Sequence, residues 1–222
     1  LDAPLLTEHS ETGRNRFFHS HFHHLNRNSI RFSISAYTHL RNFEKYDMLV
    51  IRKYREATFM RMATCCFTGH RVQSLPWGGR EEDPRCAALK ARMRAAMVEL
   101  VHTFGVRRFI SGMALGVDTY AAELVLDLRA AGEPVSLECA IPFPGQADRW
   151  SARDRARYAA LRAAAGRETL LQDHYSAGCF QRRNRYMVDE SRFLLAVWDG
   201  RPGGGTASTV AYARARGDVE LL

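Results

Sequence analysis

Short apolar runs alternate with longer amphipathic stretches from Met62 to the end of the chain. The apolar runs predict strands at 64–68, 106–110, 135–141, 169–171 and 193–198, with the start of another at 219–222. The amphipathic stretches repeat apolar residues roughly every three or four positions and predict helices at 84–104, 117–131, 151–165, 179–191 and 207–216. Because parallel strands need crossover connections, this order predicts an α/β fold, a doubly wound and mainly parallel sheet with helices on both faces.

The first 61 residues lack this regular pattern. They hold six of the nine histidines and half of the twelve phenylalanines, but no cysteine. We expect residues 1–61 to be an extension that is poorly ordered or not part of the native core, and residues 62–222 to form the domain. The chain stops as a strand begins, so we also expect a missing C-terminal piece. A histidine tract (19, 21, 23 and 24) could bind metal weakly, but no rigid scaffold is indicated around it and we predict no metal site.

Composition and charge exclude several function classes. The chain has no apolar run long enough to span a membrane and no apolar stretch near its start that would indicate a secretory signal. The net charge of +8 is shared evenly between the first 61 residues and the rest, without a block of like charges, so a solvated basic surface explains it better than nucleic-acid binding. The five cysteines form no CxxC pair and are expected to be reduced, buried thiols in a cytoplasmic protein. No cofactor is predicted.

In doubly wound sheets, ligands bind outside the carboxyl ends of the strands, so the loops after the strands are the candidate site. After the first strand, Gly69 permits a tight turn, and Arg71 could bind an anion through bidentate hydrogen bonds from its guanidinium group. After the second, Gly112 and Gly116 let backbone amides approach a phosphate at the start of a helix.

Two polar residues belong to the same second loop. Ser111 offers a hydroxyl group to a ligand. Asp118 is either an acceptor for a ribose or base group, or an acid placed in the first turn of the helix by the helix dipole.

The last strand is followed by three consecutive glycines, Gly203, Gly204 and Gly205, which leave the backbone uncovered for phosphate binding. Thr206 is expected to cap the following helix. The Walker pattern is absent, since no Lys-Ser or Lys-Thr pair follows the glycines.

The helix predicted at 179–191 is rich in arginine. Arg183 or Asn184 is expected to point toward the ligand, whereas Arg182 and Arg185 are expected to be solvated. In the loop after the third strand, Phe143 or Trp150 either stacks on a base or belongs to a structural turn.

Five blocks in this order resemble the YpsA-like family of the SLOG superfamily of Rossmann-like proteins, which also contains the DprA/Smf and Lonely Guy proteins. The blocks are FTGHR, FISGMALGVDTYAAE, IPFPGQADRWS, RRNRYMVDES and LLAVWDGRPGGGTASTVAYA, within residues 64–216. The resemblance implies a Rossmann-like domain that binds a nucleotide or nucleotide-derived small molecule at its glycine loops. It further implies that the protein is a sensor or regulator in bacterial stress or cell division. A homo-oligomer is compatible with the resemblance.

The resemblance also brings two alternatives. Arg183 falls at the motif arginine of the Lonely Guy phosphoribohydrolases, and Gly203–Thr206 resembles their glycine loop, but Thr209 stands where their motif glutamate is expected. An N-glycosidic hydrolase acting on a nucleoside monophosphate would therefore need another carboxylate, such as Asp118 or Glu123. The block from Ser111 to Asp118 is similar to that of DprA-like proteins, which makes single-stranded DNA binding the second alternative.

Overall fold

Six parallel strands form the central sheet of the protein, in the order β4-β3-β2-β1-β5-β6, within residues 48–222, the part that the computed structural model describes. The strands are β1 (Thr64–Gly69), β2 (Arg108–Ser111), β3 (Ser136–Ile141), β4 (Arg167–Leu170), β5 (Phe193–Val197) and β6 (Glu220–Leu221). The α-helices of the described part are α1 (Met48–Met62), α2 (Pro84–Phe104), α3 (Val117–Ala130), α4 (Ala152–Ala164), α5 (Cys179–Asp189) and α6 (Gly204–Arg216), and a short 3-10 helix spans Val72–Ser74. The predicted Rossmann-like, doubly wound α/β fold is therefore confirmed.

Side chains of each central strand alternate between two apolar layers, as the period of two in a strand requires. One layer packs β1 and β2 side chains such as Phe67 and Phe109 against α2, α3 and α4. The opposite layer packs Cys66 and Ile110 against α5 and α6. Helices thus cover both faces of the sheet, and its central strands are buried on both sides.

The order of the strands places a topological switch point between β1 and β5. From β1 the chain adds β2, β3 and β4 on one side, and then returns to add β5 and β6 on the other side. Residues 65–69 of β1 pair in register with residues 193–197 of β5, so the two strands end together. The loops that follow them diverge toward opposite faces, and the crevice between such loops is where ligands bind in folds of this kind.

The ends of the five predicted helices agree closely with the sequence, with one correction, whereas α1 was not predicted. Asp83 caps α2, accepting a hydrogen bond of 2.9 Å from the Arg85 amide, and Pro84 follows it. The last helix, however, begins at Gly204 and not at 207, and the residue at its N-cap position is Gly203. The prediction that Thr206 caps this helix is wrong, because Gly203 and Gly204 adopt positive φ angles of 92° and 77° and bring the chain into the helix earlier.

All five cysteines are buried and free, as expected from their spacing. Burial raises the pKa of the Cys66 and Cys139 thiols to about 12, so both are protonated at neutral pH. No described helix is long and apolar enough to cross a membrane. Within the same residues, no cluster of three His, Cys, Asp or Glu side chains could hold a metal ion. The histidine tract and most of the expected extension, residues 1–47, lie outside the described part.

Candidate functional site

A cavity of about 530 Å³ opens at the carboxyl ends of β1 and β5, at the switch point of the sheet. Its walls come from the end of β1 and its loop, the loop after β5, and the first turns of α3, α5 and α6. Nine of the twelve residues predicted for the site line this cavity: Gly69, Arg71, Asp118, Arg183, Asn184, Gly203, Gly204, Gly205 and Thr206. The cavity therefore brings together residues from four separate blocks of the sequence.

Arg183 is the buried cation of the cavity wall. Its residue surface is 4% exposed, and its guanidinium donates a hydrogen bond through Nη1 to the carbonyl of Gly112. The same Nη1 lies 3.6 Å from a carboxylate oxygen of Asp118. Arg183 stays charged, because a guanidinium is not deprotonated in proteins. Its Nε has no hydrogen-bond partner among the described residues, so one donor of a buried cation is left without an acceptor.

Asp118 is the acidic partner of Arg183 and is also buried. Burial raises the pKa of its carboxyl above the ordinary value, against the opposing effects of Arg183, the Ala114 amide and Arg71. The Ala114 N–H donates to it over 3.4 Å. Asp118 thus partly balances the charge of Arg183 inside the cavity, and its remaining oxygen can accept from a ligand.

The other three predicted residues, Ser111, Gly112 and Gly116, do not line the cavity. The Ser111 hydroxyl donates to the Asp118 carbonyl (2.8 Å) and accepts from the Met113 amide (3.1 Å), which closes the loop after β2. Met113 itself adopts a positive φ of 57°. Direct ligand contact by these three residues stays a prediction, while the structure gives each of them a packing contact.

The packing contacts explain why two of these positions are glycine. A Cβ atom at Gly112 would collide with the Arg183 guanidinium and lie 2.8 Å from the Asp118 carboxylate. A Cβ at Gly116 would lie 2.6 Å from the carbonyl oxygen of His70, and its φ of 105° also favours glycine.

The glycine loop at the start of α6 presents bare backbone to the cavity. A Cβ atom on Gly203 or Gly204 would meet nothing within 4 Å, so these glycines border open space. No side chain caps α6, and residues 203–206 at its start line the cavity, so the N–H groups of its first turn lie at the cavity wall without a side-chain acceptor. Such an end carries partial positive charge and attracts anions.

Hydrogen bonds tie this first turn to α5. The Asn184 amide donates to the Thr209 hydroxyl over 2.8 Å, and that hydroxyl donates to the Gly205 carbonyl over 2.8 Å. Thr209 is 2% exposed. The position that a Lonely Guy hydrolase would need for its glutamate is therefore occupied by a buried structural threonine.

The rim of the cavity contains residues that the sequence alone did not single out, His70, Asp199 and Arg201. His70 Nε2 lies 3.3 Å from a carboxylate oxygen of Asp199 and accepts a hydrogen bond from its amide, which links the loops after β1 and β5. Arg201 is 87% exposed in its side chain and lies 3.5 Å from Asp199. The motif FTGHR and the run WDGRPGGG contain these residues, so their position directly after strands was the available signal.

Two predictions about side-chain environment can be compared with the structure. Arg182 and Arg185 are exposed on α5, as expected. Phe143 packs edge-on against Tyr175 and Phe180, at ring-centroid distances of 5.4 and 6.0 Å, and whether Phe143 or Trp150 stacks on a base stays a prediction.

The model of the YspA SLOG family, short name YpsA, matches residues 65–219. The chain belongs to this family. The expected membership is confirmed, and the match begins inside β1 and ends just before β6.

Several proteins of Bacillus are similar to this chain. The SPbeta prophage-derived protein YoqJ of Bacillus subtilis (strain 168) is 29% identical over 145 residues, which cover 60% of this chain and 84% of YoqJ. A UPF0398 protein of Bacillus thuringiensis (strain Al Hakam) is 25% identical over 143 residues, covering 64% of this chain and 77% of that protein.

Among solved structures, DNA processing protein A (DprA) from Streptococcus pneumoniae is similar with a TM-score of 0.46 and 14% identity, over 73% of this chain and 50% of that chain. This chain thus spans half the length of that DprA chain.

Proposed function

We propose that the domain binds a phosphate-bearing, nucleotide-like ligand in the cavity at the switch point and acts as a sensor or regulator. The observation that carries this proposal is the combination, in one cavity, of an uncapped helix start on glycines with the buried guanidinium of Arg183. Backbone amides at a helix start bind phosphate oxygens, and an arginine adds charge and a second set of donors. The cavity volume of about 530 Å³ lies within the range of roughly 300–1,000 Å³ that is usual for small-molecule sites.

The charges of the cavity also favour an anion. Three arginines line it, Arg71, Arg183 and Arg201, against the carboxylates of Asp118 and Asp199. Arg71 and Arg201 are exposed and can turn toward a ligand, whereas Arg183 is held by the loop after β2. A buried arginine together with two exposed ones gives the cavity several guanidinium groups that can bind a phosphate.

Binding without hydrolysis is favoured over phosphoribohydrolase activity. Thr209 carries no carboxylate and its hydroxyl is already bonded on both sides. Glu123, an alternative acid, is held by Arg157 at 2.6 Å and is not part of the cavity wall. Asp118, the other candidate acid, already pairs with Arg183, and Asp199 on the rim already contacts His70 and Arg201.

Thermal unfolding of the full chain tests the proposal, with AMP, ADP, ADP-ribose, NAD and short single-stranded DNA as probes. A nucleotide at about 100 times its Kd should raise the free energy of unfolding by roughly 2.7 kcal/mol. Arg201→Ala should weaken binding about tenfold, or about 1.4 kcal/mol, without altering the stability of the free protein, because Arg201 is exposed. Arg94→Ala is the matched control, since it removes an exposed arginine that does not line the cavity.

Three other results would contradict the proposal in different ways. If no nucleotide stabilises the protein, the proposed binding function is wrong. Release of free base from AMP, detected by chromatography, would replace sensing by hydrolysis. Stabilisation by DNA alone, with an affinity that falls steeply with salt, would indicate the DprA-like alternative.

A further inference from the structure

A second cavity of about 280 Å³ adjoins the first along the carboxyl edge of the sheet. Its walls are the loops after β1, β2 and β3, the first turn of α4 and the start of α5. Four residues line both cavities: Arg71, Gln73, Ala114 and Phe180. The two cavities are therefore neighbouring parts of one groove that runs from β5, across β1 and β2, to β3.

The size of the second cavity indicates that it holds part of a ligand. Its volume lies just below the range of roughly 300–1,000 Å³ that is usual for a complete small-molecule site. Since it shares a wall with the larger cavity, one molecule can extend from one into the other.

Two aromatic rings contribute flat surfaces to the second cavity. Trp150 is half-buried and packs edge-on against Tyr158 with ring centroids 5.2 Å apart, which fixes its orientation. Phe180 carries the Arg71 guanidinium over its ring at 5.4 Å. Rings held in place in this way offer stacking surfaces to a planar aromatic group.

The polar groups of this cavity include two acceptors in addition to its cations. Gln146 donates through Nε2 to the carbonyls of Gly112 and Met113, at 3.2 and 3.0 Å, so its Oε1 is an acceptor, and that atom has no partner among the described residues. The Asp154 carboxylate accepts from the Ser151 hydroxyl at 2.7 Å and has lone pairs to spare. Acceptors of this kind suit the N–H groups of a nucleobase, and a carboxylate disfavours a second phosphate.

We propose that the second cavity is the base subsite of the ligand: its phosphates lie in the first cavity, its aromatic base lies between Trp150 and Phe180, and Arg71 stands at the junction. This inference rests on the proposed function, since it assigns the phosphates to the first cavity. It specifies the ligand class as a nucleotide whose base is itself bound, as opposed to a sugar phosphate or free diphosphate.

Calorimetric titration of the full chain tests this inference with probes that share a diphosphate group and differ in the nucleoside attached to it. Inorganic diphosphate is compared with ADP, GDP, CDP and UDP. At least one nucleoside diphosphate should bind about tenfold or more tightly than diphosphate, which corresponds to about 1.4 kcal/mol. It should also quench the fluorescence of the protein, and Trp150→Phe should remove that quenching.

Leu115→Trp fills the second cavity, because Leu115 lines it and does not line the first. This variant should lower the affinity for the nucleoside diphosphate to that for diphosphate and leave diphosphate binding unchanged. Leu170→Trp, on the exposed edge strand β4, is the matched control and should change neither affinity. Equal affinities for diphosphate and all four nucleotides would overturn the base subsite and leave the proposed function standing. Absence of binding by every probe would overturn both.

Discussion

Arg183 determines the arrangement of the candidate site at the scale of single residues. It reaches from α5 to the loop after β2, where its guanidinium meets the carbonyl of Gly112 and the carboxylate of Asp118. The space in front of the Gly112 Cα is therefore filled by an arginine from a distant part of the chain. The sequence analysis explained Gly112 by the close approach of a phosphate, but packing against Arg183 is by itself sufficient to require glycine at this position.

Gly112→Ala should consequently destabilise the protein. The added methyl group has to displace a guanidinium that is buried and hydrogen-bonded, and overpacking of this kind costs about 1–3 kcal/mol. Urea unfolding followed by circular dichroism measures the change. Gly79→Ala is the control, because a Cβ there meets nothing within 4 Å and its φ is not positive, so the free energy of unfolding should stay within about 0.5 kcal/mol. Equal stability of the two variants would show that Arg183 moves aside freely.

At the scale of elements, a buried ionic network holds α5 against the sheet. Glu138 on β3 is 1% exposed and accepts hydrogen bonds from Arg108 on β2 (3.1 Å), Thr169 on β4 (2.8 Å) and the Tyr186 hydroxyl on α5 (2.6 Å). Burial and the hydrogen bond to Glu138 raise the pKa of Tyr186 to about 12. Since α5 also carries Arg183, this network contributes to the position of the cation of the cavity.

Glu138→Gln should lower the free energy of unfolding by about 3–5 kcal/mol, because it leaves the buried charge of Arg108 without its buried partner. Chemical denaturation at neutral pH measures the loss. Glu190→Gln is the matched comparison: Glu190 also contacts Arg108, at 3.0 Å, but its side chain is 44% exposed, so about 1 kcal/mol or less is expected. A similar cost for both changes would contradict the assignment of Glu138 as the main partner of Arg108.

At the scale of the whole molecule, the buried central strands provide stability and the loops at their carboxyl ends form the candidate binding site. The central strands β1 and β2 are covered on both faces, whereas β4 at one edge has mostly exposed residues and β6 at the other has two half-buried residues. The cavity lies at the ends of β1 and β5, so it stands on well-packed strands and is closed by loops. Rigid strands with adjustable loops are a common basis for ligand sites.

Hydrogen exchange should reflect this division. Amides of β1 and β2 should exchange through global unfolding, with the full free energy of stability, while those of β4 and of the loop containing Gly203–Gly205 open locally, at free energies that extend down to about zero. Mass spectrometry of deuterated peptides distinguishes the two groups. Equal protection of β4 and β1 would mean that the sheet edge is covered in a way that the described residues do not show.

The order of the elements could be read from the sequence because each depends on local chemistry. Apolar periodicity, Pro84 at a helix start and glycines after strands are sufficient to locate strands and helices and to predict a parallel sheet. The same reasoning found nine residues of the cavity wall, since every parallel strand delivers its following loop to the same edge. The start of α6 was missed because the paired positive φ angles of Gly203 and Gly204 carry no distinct sequence signal.

Contacts between distant segments were decided by the tertiary structure alone. The meeting of Arg183 with Gly112 and Asp118, the bond of Thr209 to Asn184, and the second cavity beside Trp150 all join residues far apart along the chain. Local propensity contains no information about such distances, since they follow from how helices pack across the sheet. The sequence by itself determined which groups reach the edge of the sheet, and packing determined which of them touch one another and which remain open to a ligand.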